Sequence, residues 1–266
     1  MEEFIGYGLA ILVGISLGLI GSGGSILTVP ILVYVMGVAP VNATAYSLFI
    51  VGTTALVGGL KNAMEKNVDF KTVAVFGIPS IVAVYITRAY LVPIIPNPVF
   101  EVGYFVVTKD IFLMMIFAVV MVLASYSMIK PQKKQEESQG DIKYNLPMIF
   151  LEGTVVGVLT GLVGAGGGFL IIPALVLLAR IPMKLAVGTS LFIIAAKSLI
   201  GFVGDLKSNA DLDFQLMGFF TIASVIGMFL GIYLAKKVDG SKLKTGFGWF
   251  VLIMGIYIIV KELFLK

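Results

Sequence analysis

Apolar residues run along this chain in blocks, not in alternation. The blocks fall at about 4–20, 26–37, 43–60, 70–95 and 110–129, and again at about 147–163, 169–179, 185–204, 214–235 and 245–264. A helix needs ~20 apolar residues to cross a bilayer, so most of these blocks predict transmembrane helices. The second block of each set is too short to cross comfortably. Each follows a run of small residues, Gly21-Ser22-Gly23-Gly24-Ser25 and Gly164-Ala165-Gly166-Gly167-Gly168. That pattern predicts a broken helical hairpin at each place, which dips into the membrane and turns back. Irregular backbone at that depth is tolerated only where protein buries it or water reaches it. The polar, charged stretch from Lys130 to Lys143 separates the sets. The chain therefore reads as a first transmembrane repeat over 1–129, a polar linker over 130–146 and a second repeat over 147–266.

The two sets are copies of one unit. An offset of 143 residues holds without a gap from Gly14/Gly157 to Gly58/Gly201. Ser47-Leu48-Phe49-Ile50 falls on Ser190-Leu191-Phe192-Ile193, and Pro30 falls on Pro173. Apolar repeats interrupted by glycine at corresponding places are a pattern of membrane transporters. The expected class is thus an all-α polytopic membrane protein of two inverted-topology repeats. Each holds one broken hairpin and about three full transmembrane helices.

Composition sharpens this picture. The chain is 59% hydrophobic and 13% charged, with a mean hydropathy of +1.05; a soluble domain carries roughly 25% charge. The net charge of +4 is modest, and its positives lie in loops, which orients a membrane protein and does not suggest nucleic acid. With each broken pair counted as a hairpin, the loop lysines and arginines fall 13 on one face (loops 61–71, 130–143, 180–184 and 236–244). Only four fall on the other: Lys109, Lys207, Lys261 and Lys266. Counted as single crossings, the same loops divide 10 against 7. The first count satisfies the positive-inside rule. It puts the linker in the cytoplasm and both termini outside, and it makes the copies inverted. Met1-Glu2-Glu3 offers no basic region before the first block, so the first helix is read as retained, not as a cleaved signal.

The chain has no cysteine and no histidine. Thiolate chemistry, disulfides, imidazole haem ligation and histidine-rich metal sites are excluded, and no cofactor is expected. The candidate chemistry is recognition of an anion. Small residues at the start of a short helix expose several backbone N–H groups at the positive end of the helix dipole. Gly21, Ser22, Gly23, Gly24 and Ser25, with Gly164, Ala165, Gly166, Gly167 and Gly168, are therefore candidate ligands. Gly14/Gly18 and Gly157/Gly161 are better read as small-xxx-small packing pairs. Lys197 lies well inside an apolar block, and its counterpart in the first copy is Thr54. A lone buried cation would attract an anion; the structural alternative is a pair with a carboxylate, Asp205 being nearest. Arg88 stands close to Pro93, beside Tyr85 and Tyr90, where interfacial anchoring is at least as good a reading as ligand binding. Hydroxyls line the third block of each copy, including Thr44, Thr54 and Thr189. Ser47 and Ser190 rank first among them as equivalent positions beside the turns. If a proton is coupled, Asp205 and Glu152 are the nearest carboxylates.

At these residues the chain resembles the sulfite exporter TauE/SafE family, also described as the toluene sulfonate uptake permease family. The doubled G-L-I-G-S-G-G-S-x-L-x-V-P (Gly18 to Pro30) and G-L-V-G-A-G-G-G-x-L-x-I-P (Gly161 to Pro173) carry the resemblance, each followed by A-x-x-x-S-L-F (Ala43 to Phe49; Ala186 to Phe192). It implies transport of small sulfur-containing anions such as sulfite or organosulfonates, often outward, across a prokaryotic plasma membrane. The expected partners are that anion and the lipid bilayer. The expected mechanism is alternating access to an anion bound near the midplane between the turns, by Ser47, Ser190 and Lys197. No phosphate-binding loop of the G-x-x-x-x-G-K-[ST] type is present, so an ion or substrate gradient would drive it. A passive anion channel of the same architecture fits the sequence too. An intramembrane protease does not, since its serine would need a histidine base.

Overall fold

In hydrocarbon the backbone must satisfy its own N–H and C=O groups, and apolar blocks of this length do so as helices. The computed structural model of the chain describes residues 2–21, 23–102, 105–130, 146–164, 171, 175, 183–206, 212–235 and 240–264. In chain order these form α1 (Glu2–Ile20), a 3-10 turn (Gly23–Leu27), α2 (Thr28–Tyr34) and α3 (Pro40–Met64). Then come α4 (Phe70–Ile94), α5 (Lys109–Ile129), α6 (Leu146–Val163), α7 (Met183–Asp205), α8 (Phe214–Ala235) and α9 (Gly240–Phe264). Five of them, α3, α4, α5, α7 and α8, are long and apolar enough to cross a membrane. The predicted linker from 131 to 145 lies outside the described residues, as does most of the second short block.

Local chemistry sets several boundaries. Pro40 opens α3, where a missing N–H costs nothing. Asp69 caps α4, accepting from the Lys71 N–H at 3.1 Å and the Thr72 hydroxyl at 2.6 Å. Thr108 caps α5 through the Ile111 N–H. Two departures from regular helix stand out. Residues Thr87–Leu91 of α4 form a π turn, and Phe100–Val102 pairs antiparallel with Phe105–Val107 as a short hairpin before α5. Three-residue strands carry too little alternation to be read from sequence.

The two sets of helices do not stand apart. α1 packs along α8, α4 along α6 and α7, α3 along α7 and α8, and α5 along α9. One apolar cluster draws on both, including Leu17, Leu48, Val51, Ile193, Phe220 and Met228. Contacts recur in exchanged form. The Asp69 N–H donates to Thr189 Oγ1 at 2.9 Å, and the Asp213 N–H donates to the Tyr46 hydroxyl at 2.8 Å. Tyr46 and Thr189 are equivalent at the 143 offset; Asp69 and Asp213 are equivalent at 144, the second loop being one residue longer. Likewise Gly58 abuts Leu191 and Met228, while Gly201 abuts their equivalents Leu48 and Val84.

The exchanged interfaces differ in one respect. Where α1 meets α8, glycines bring backbone onto backbone. A Cβ on Gly14 would overlap the Ser224 carbonyl, one on Gly18 the Met228 carbonyl, one on Gly227 the Ile11 carbonyl, and one on Gly231 the Ile15 carbonyl. Close approach of this kind is how helices associate without a hydrophobic driving force. Where α4 meets α6, Gly153 and Gly157 still abut the Phe76 and Ser80 carbonyls, but Gly161 meets the Thr87 side chain. Ala83 and Thr87 stand where α8 has Gly227 and Gly231. A Gly227→Leu substitution should therefore be destabilising by at least ~1–3 kcal/mol, the usual cost of overpacking. Loss of the monodisperse folded species in detergent, or a sharply lowered melting temperature, checks it; an unchanged melting curve contradicts the packing.

Candidate functional site

The polar core starts at the crossing of α3 and α7. These helices run antiparallel, with Gly52 against Leu199 and Gly59 against Phe192. That register sets Thr54 level with Lys197, its own equivalent. Lys197 is fully buried. Its ammonium donates to Thr160 Oγ1 on α6 at 3.0 Å. Thr54 Oγ1 and Ser198 Oγ are buried with no hydrogen-bond partner among the described residues.

A second cation lies in the same region. Arg88, in the π turn of α4, is fully buried. Of the two readings the sequence left open, this burial goes against the interfacial anchor. Gly204, whose missing side chain leaves room against Arg88 Cβ, and a carboxylate from far along the chain draw the side chain inward. Arg88 Nη1 donates to Thr44 Oγ1 at 3.0 Å and to Asp205 Oδ1 at 3.5 Å. Asp205 therefore belongs to Arg88, not to Lys197 as the sequence alternative had it. No carboxylate lies within ion-pair distance of Lys197 among the described residues. Thr44 is itself fixed, donating to the Val41 carbonyl at 2.7 Å.

Thr44, Ser47 and Thr54 follow helical spacing and share one face of α3. At 1.5 Å per residue this hydroxyl stripe spans about 15 Å, from the level of Arg88 to that of Lys197. Ser47 Oγ, in its middle, is buried and has no hydrogen-bond partner among the described residues. Ser190, its equivalent, instead donates to the Val187 carbonyl at 2.8 Å, the usual local bond of a helical serine. The two serines are alike in sequence and unlike in availability.

The glycine turns begin alike. Gly21 and Gly164 take positive φ values of 82° and 71°. Their N–H groups return to the Leu17 and Thr160 carbonyls, each at 2.8 Å. Both close a helix in the left-handed conformation that glycine adopts without Cβ strain. Gly164 packs on Thr44, so the second turn leaves α6 beside the residue that holds Arg88. Thr160 serves the same corner twice, capping α6 with its carbonyl and holding Lys197 with its hydroxyl. On the first turn, Gly23, Gly24 and Ser25 lie in the 3-10 segment Gly23–Leu27. Next to them, Ile26 and Val29 pack in a cluster with Met114, Phe117 and Val251 of α5 and α9. Ser22, Ala165, Gly166, Gly167 and Gly168 lie outside the described residues.

Two contacts were not legible in the sequence. The pairing of Arg88 with Asp205, which brings Arg88 to Thr44 and the polar column, spans 117 positions, which no local pattern signals. Glu262, on the last turns of α9, is fully buried and accepts from the Tyr34 hydroxyl at 3.0 Å. Glu152, on α6, is half-buried. Among the described residues no cluster of acidic side chains suits a metal ion.

Known proteins match along nearly the whole chain. The family model described as Sulfite exporter TauE/SafE matches residues 7–258. A "Probable membrane transporter protein" of Xylella fastidiosa (strain 9a5c) is 27% identical over 256 residues, covering 93% of this chain and 91% of that protein. The "Probable membrane transporter protein YunE" of Bacillus subtilis (strain 168) is 29% identical over 271 residues, covering 95% and 93%. A relative of the same description occurs in Methanocaldococcus jannaschii, 26% identical over 269 residues and covering 95% of each chain. No solved structure matches.

Proposed function

This chain belongs to the sulfite exporter TauE/SafE family and is a membrane transporter, and from that premise we propose that its cargo is a small sulfur-containing anion, such as sulfite or an organosulfonate, carried outward across a prokaryotic plasma membrane. The observation that carries the anionic part is Lys197. It is fully buried, has no carboxylate partner among the described residues, and rests on one threonine hydroxyl. An ammonium held that way inside a membrane protein is a fixed positive charge with attraction to spare. The Ser47 hydroxyl, which has no hydrogen-bond partner among the described residues, and Gly164, which packs on Thr44, lie along the same column. Ser47 supplies a hydrogen-bond donor for an oxyanion oxygen; the Gly164 N–H is committed to the Thr160 carbonyl, so the second glycine run would contribute through the small residues that follow it in the sequence. The first glycine turn enters this reading through its equivalence to the second.

Alternating access by two inverted repeats is the mechanism this arrangement favours. Its support is the exchanged contacts and the antiparallel crossing of α3 and α7 at Thr54 and Lys197. A two-fold axis that exchanges antiparallel helices is perpendicular to both. For helices that cross a bilayer it lies in the membrane plane. The sulfur–oxygen anion would then sit near that axis and be exposed to each side in turn, with the loop-rich positive face in the cytoplasm.

Purified protein, melted against sulfite, thiosulfate, sulfoacetate, taurine, sulfate and carboxylate salts, tests the cargo. A ligand bound only by the folded state raises the melting temperature by mass action, and selective stabilisation by a sulfur oxyanion is expected. In proteoliposomes the same anion should show saturable uptake and counter-exchange. Ser47→Ala should weaken this by roughly tenfold, the loss of a hydrogen bond to a charged group, whereas Ser190→Ala should leave it near wild type. Stabilisation by carboxylates alone would remove the sulfur cargo. Equal behaviour of the two serine variants would remove Ser47 from the site.

A further inference from the structure

Arg88 uses only part of its hydrogen-bonding capacity. Nη1 is committed to Thr44 and Asp205. Nε and Nη2 are buried and have no hydrogen-bond partner among the described residues. These two are not scattered donors. In a planar guanidinium the N–H of Nε and one N–H of Nη2 point the same way from one edge, spaced to meet two oxygens of a carboxylate, sulfonate or phosphate. A protein ordinarily satisfies a buried donor, because leaving one unmet costs as much as a lost hydrogen bond or more. Two unmet donors on the one edge built for oxyanions, in a side chain with no exposed surface, mark a place where an acceptor belongs.

The surroundings hold that edge in place. Thr44 and Asp205 fix the opposite corner of the guanidinium, and Thr44 is fixed in turn by Val41. The π turn Thr87–Leu91 places the side chain, and π turns inside α-helices often mark functional sites. The equivalent places in the other copy carry none of this. Ile232 stands for Arg88, Asn62 for Asp205 and Val187 for Thr44. A charge needed only to stabilise the repeated fold would have reason to appear twice.

We infer that Arg88 is an oxyanion-binding residue, whose Nε–Nη2 edge grips two oxygens of the transported anion at a second station along the hydroxyl stripe from Lys197. This rests on the reading of the protein as an anion transporter and adds a specific contact to it. Asp205, which holds Arg88, stands about two helical turns beyond Lys197 on α7, roughly 12 Å of rise by residue count. One small anion can therefore occupy the two cationic stations in succession, with Ser47 between. Asp205 holds the fork in position and is not itself a ligand.

The test is titration of sulfite, sulfoacetate, phosphate and malonate into full-length protein in nanodiscs, with the ligand-free melting temperature of each variant as control. Arg88→Lys keeps a cation beside Asp205 but has no forked edge. The expected result is a roughly tenfold to hundredfold weaker Kd for whichever oxyanion the wild type prefers, at a ligand-free melting temperature close to wild type. Should that variant fail to fold, the charge-neutral pair Arg88→Gln with Asp205→Asn takes its place under the same expectation. Unchanged affinity in a folded variant overturns the fork, as does a wild type that binds none of the four anions. A wild-type preference for phosphate or malonate that Arg88→Lys abolishes keeps the fork and sinks the sulfur-anion cargo instead.

Discussion

A Lys197→Met variant should lose saturable anion uptake by at least ~100-fold and yet melt at a higher temperature than wild type. The two effects have opposite signs because, in the function proposed above, the ammonium serves the cargo and not the fold. A lysine at membrane depth costs ~2.5–3.5 kcal/mol on insertion scales. Here it recovers only one hydrogen bond, to Thr160, with no ion pair among the described residues. Methionine fills much the same volume without the charge. Stability should therefore rise by up to that amount, while the attraction for an anion disappears. Proteoliposome flux and thermal melting of the same preparation measure both sides. A variant that is less stable and still transports would show that Lys197 is a structural residue, and the proposed site would go with it.

The second large effect concerns Asp205. Asp205→Asn leaves Arg88 charged, buried and short of its counter-ion. Breaking a buried pair from one side typically costs ~3–5 kcal/mol. That is a large share of the stability of most proteins. The double variant Arg88→Gln with Asp205→Asn removes both charges and should recover most of the loss. A double-mutant cycle on melting or denaturant stability reads the coupling. Full stability in Asp205→Asn would mean that the 3.5 Å contact contributes little. An unrecovered double variant would place the cost in packing instead of charge.

Much of this architecture could be read from the chain. The block at 43–60 became Pro40–Met64, that at 185–204 became Met183–Asp205, and that at 214–235 kept its bounds as Phe214–Ala235. Long apolar runs leave the backbone one option in a bilayer, so helix is a safe reading there. The packing role of Gly14, Gly18, Gly157 and Gly161 was also legible, because small-xxx-small spacing has a direct steric meaning. The site was only half legible. Lys197 announces itself as a charge in an apolar block. Arg88 does not, since Tyr85, Tyr90 and Pro93 give it the look of a membrane boundary. Its burial depends on Gly204 and Asp205, which the fold delivers from another helix. Ser47 and Ser190 are indistinguishable by position. What separates them is which one meets the Val187-type carbonyl of its own turn, a matter of rotamer and not of residue type.

The glycine seam between α1 and α8 has a consequence for how freely each half can change. At Gly227 and Gly231 even a methyl group would collide with the Ile11 and Ile15 carbonyls, whereas the matching places on α4 already hold Ala83 and Thr87. A side chain welcome in one repeat is barred from the twin location in the other. The duplicated halves are thus not interchangeable parts: a chain assembled from two copies of the first would wedge its tight seam apart, and one assembled from two copies of the second would carry no arginine at the place of Arg88. The molecule therefore uses both: bare backbone contact in one seam and a buried arginine on the other.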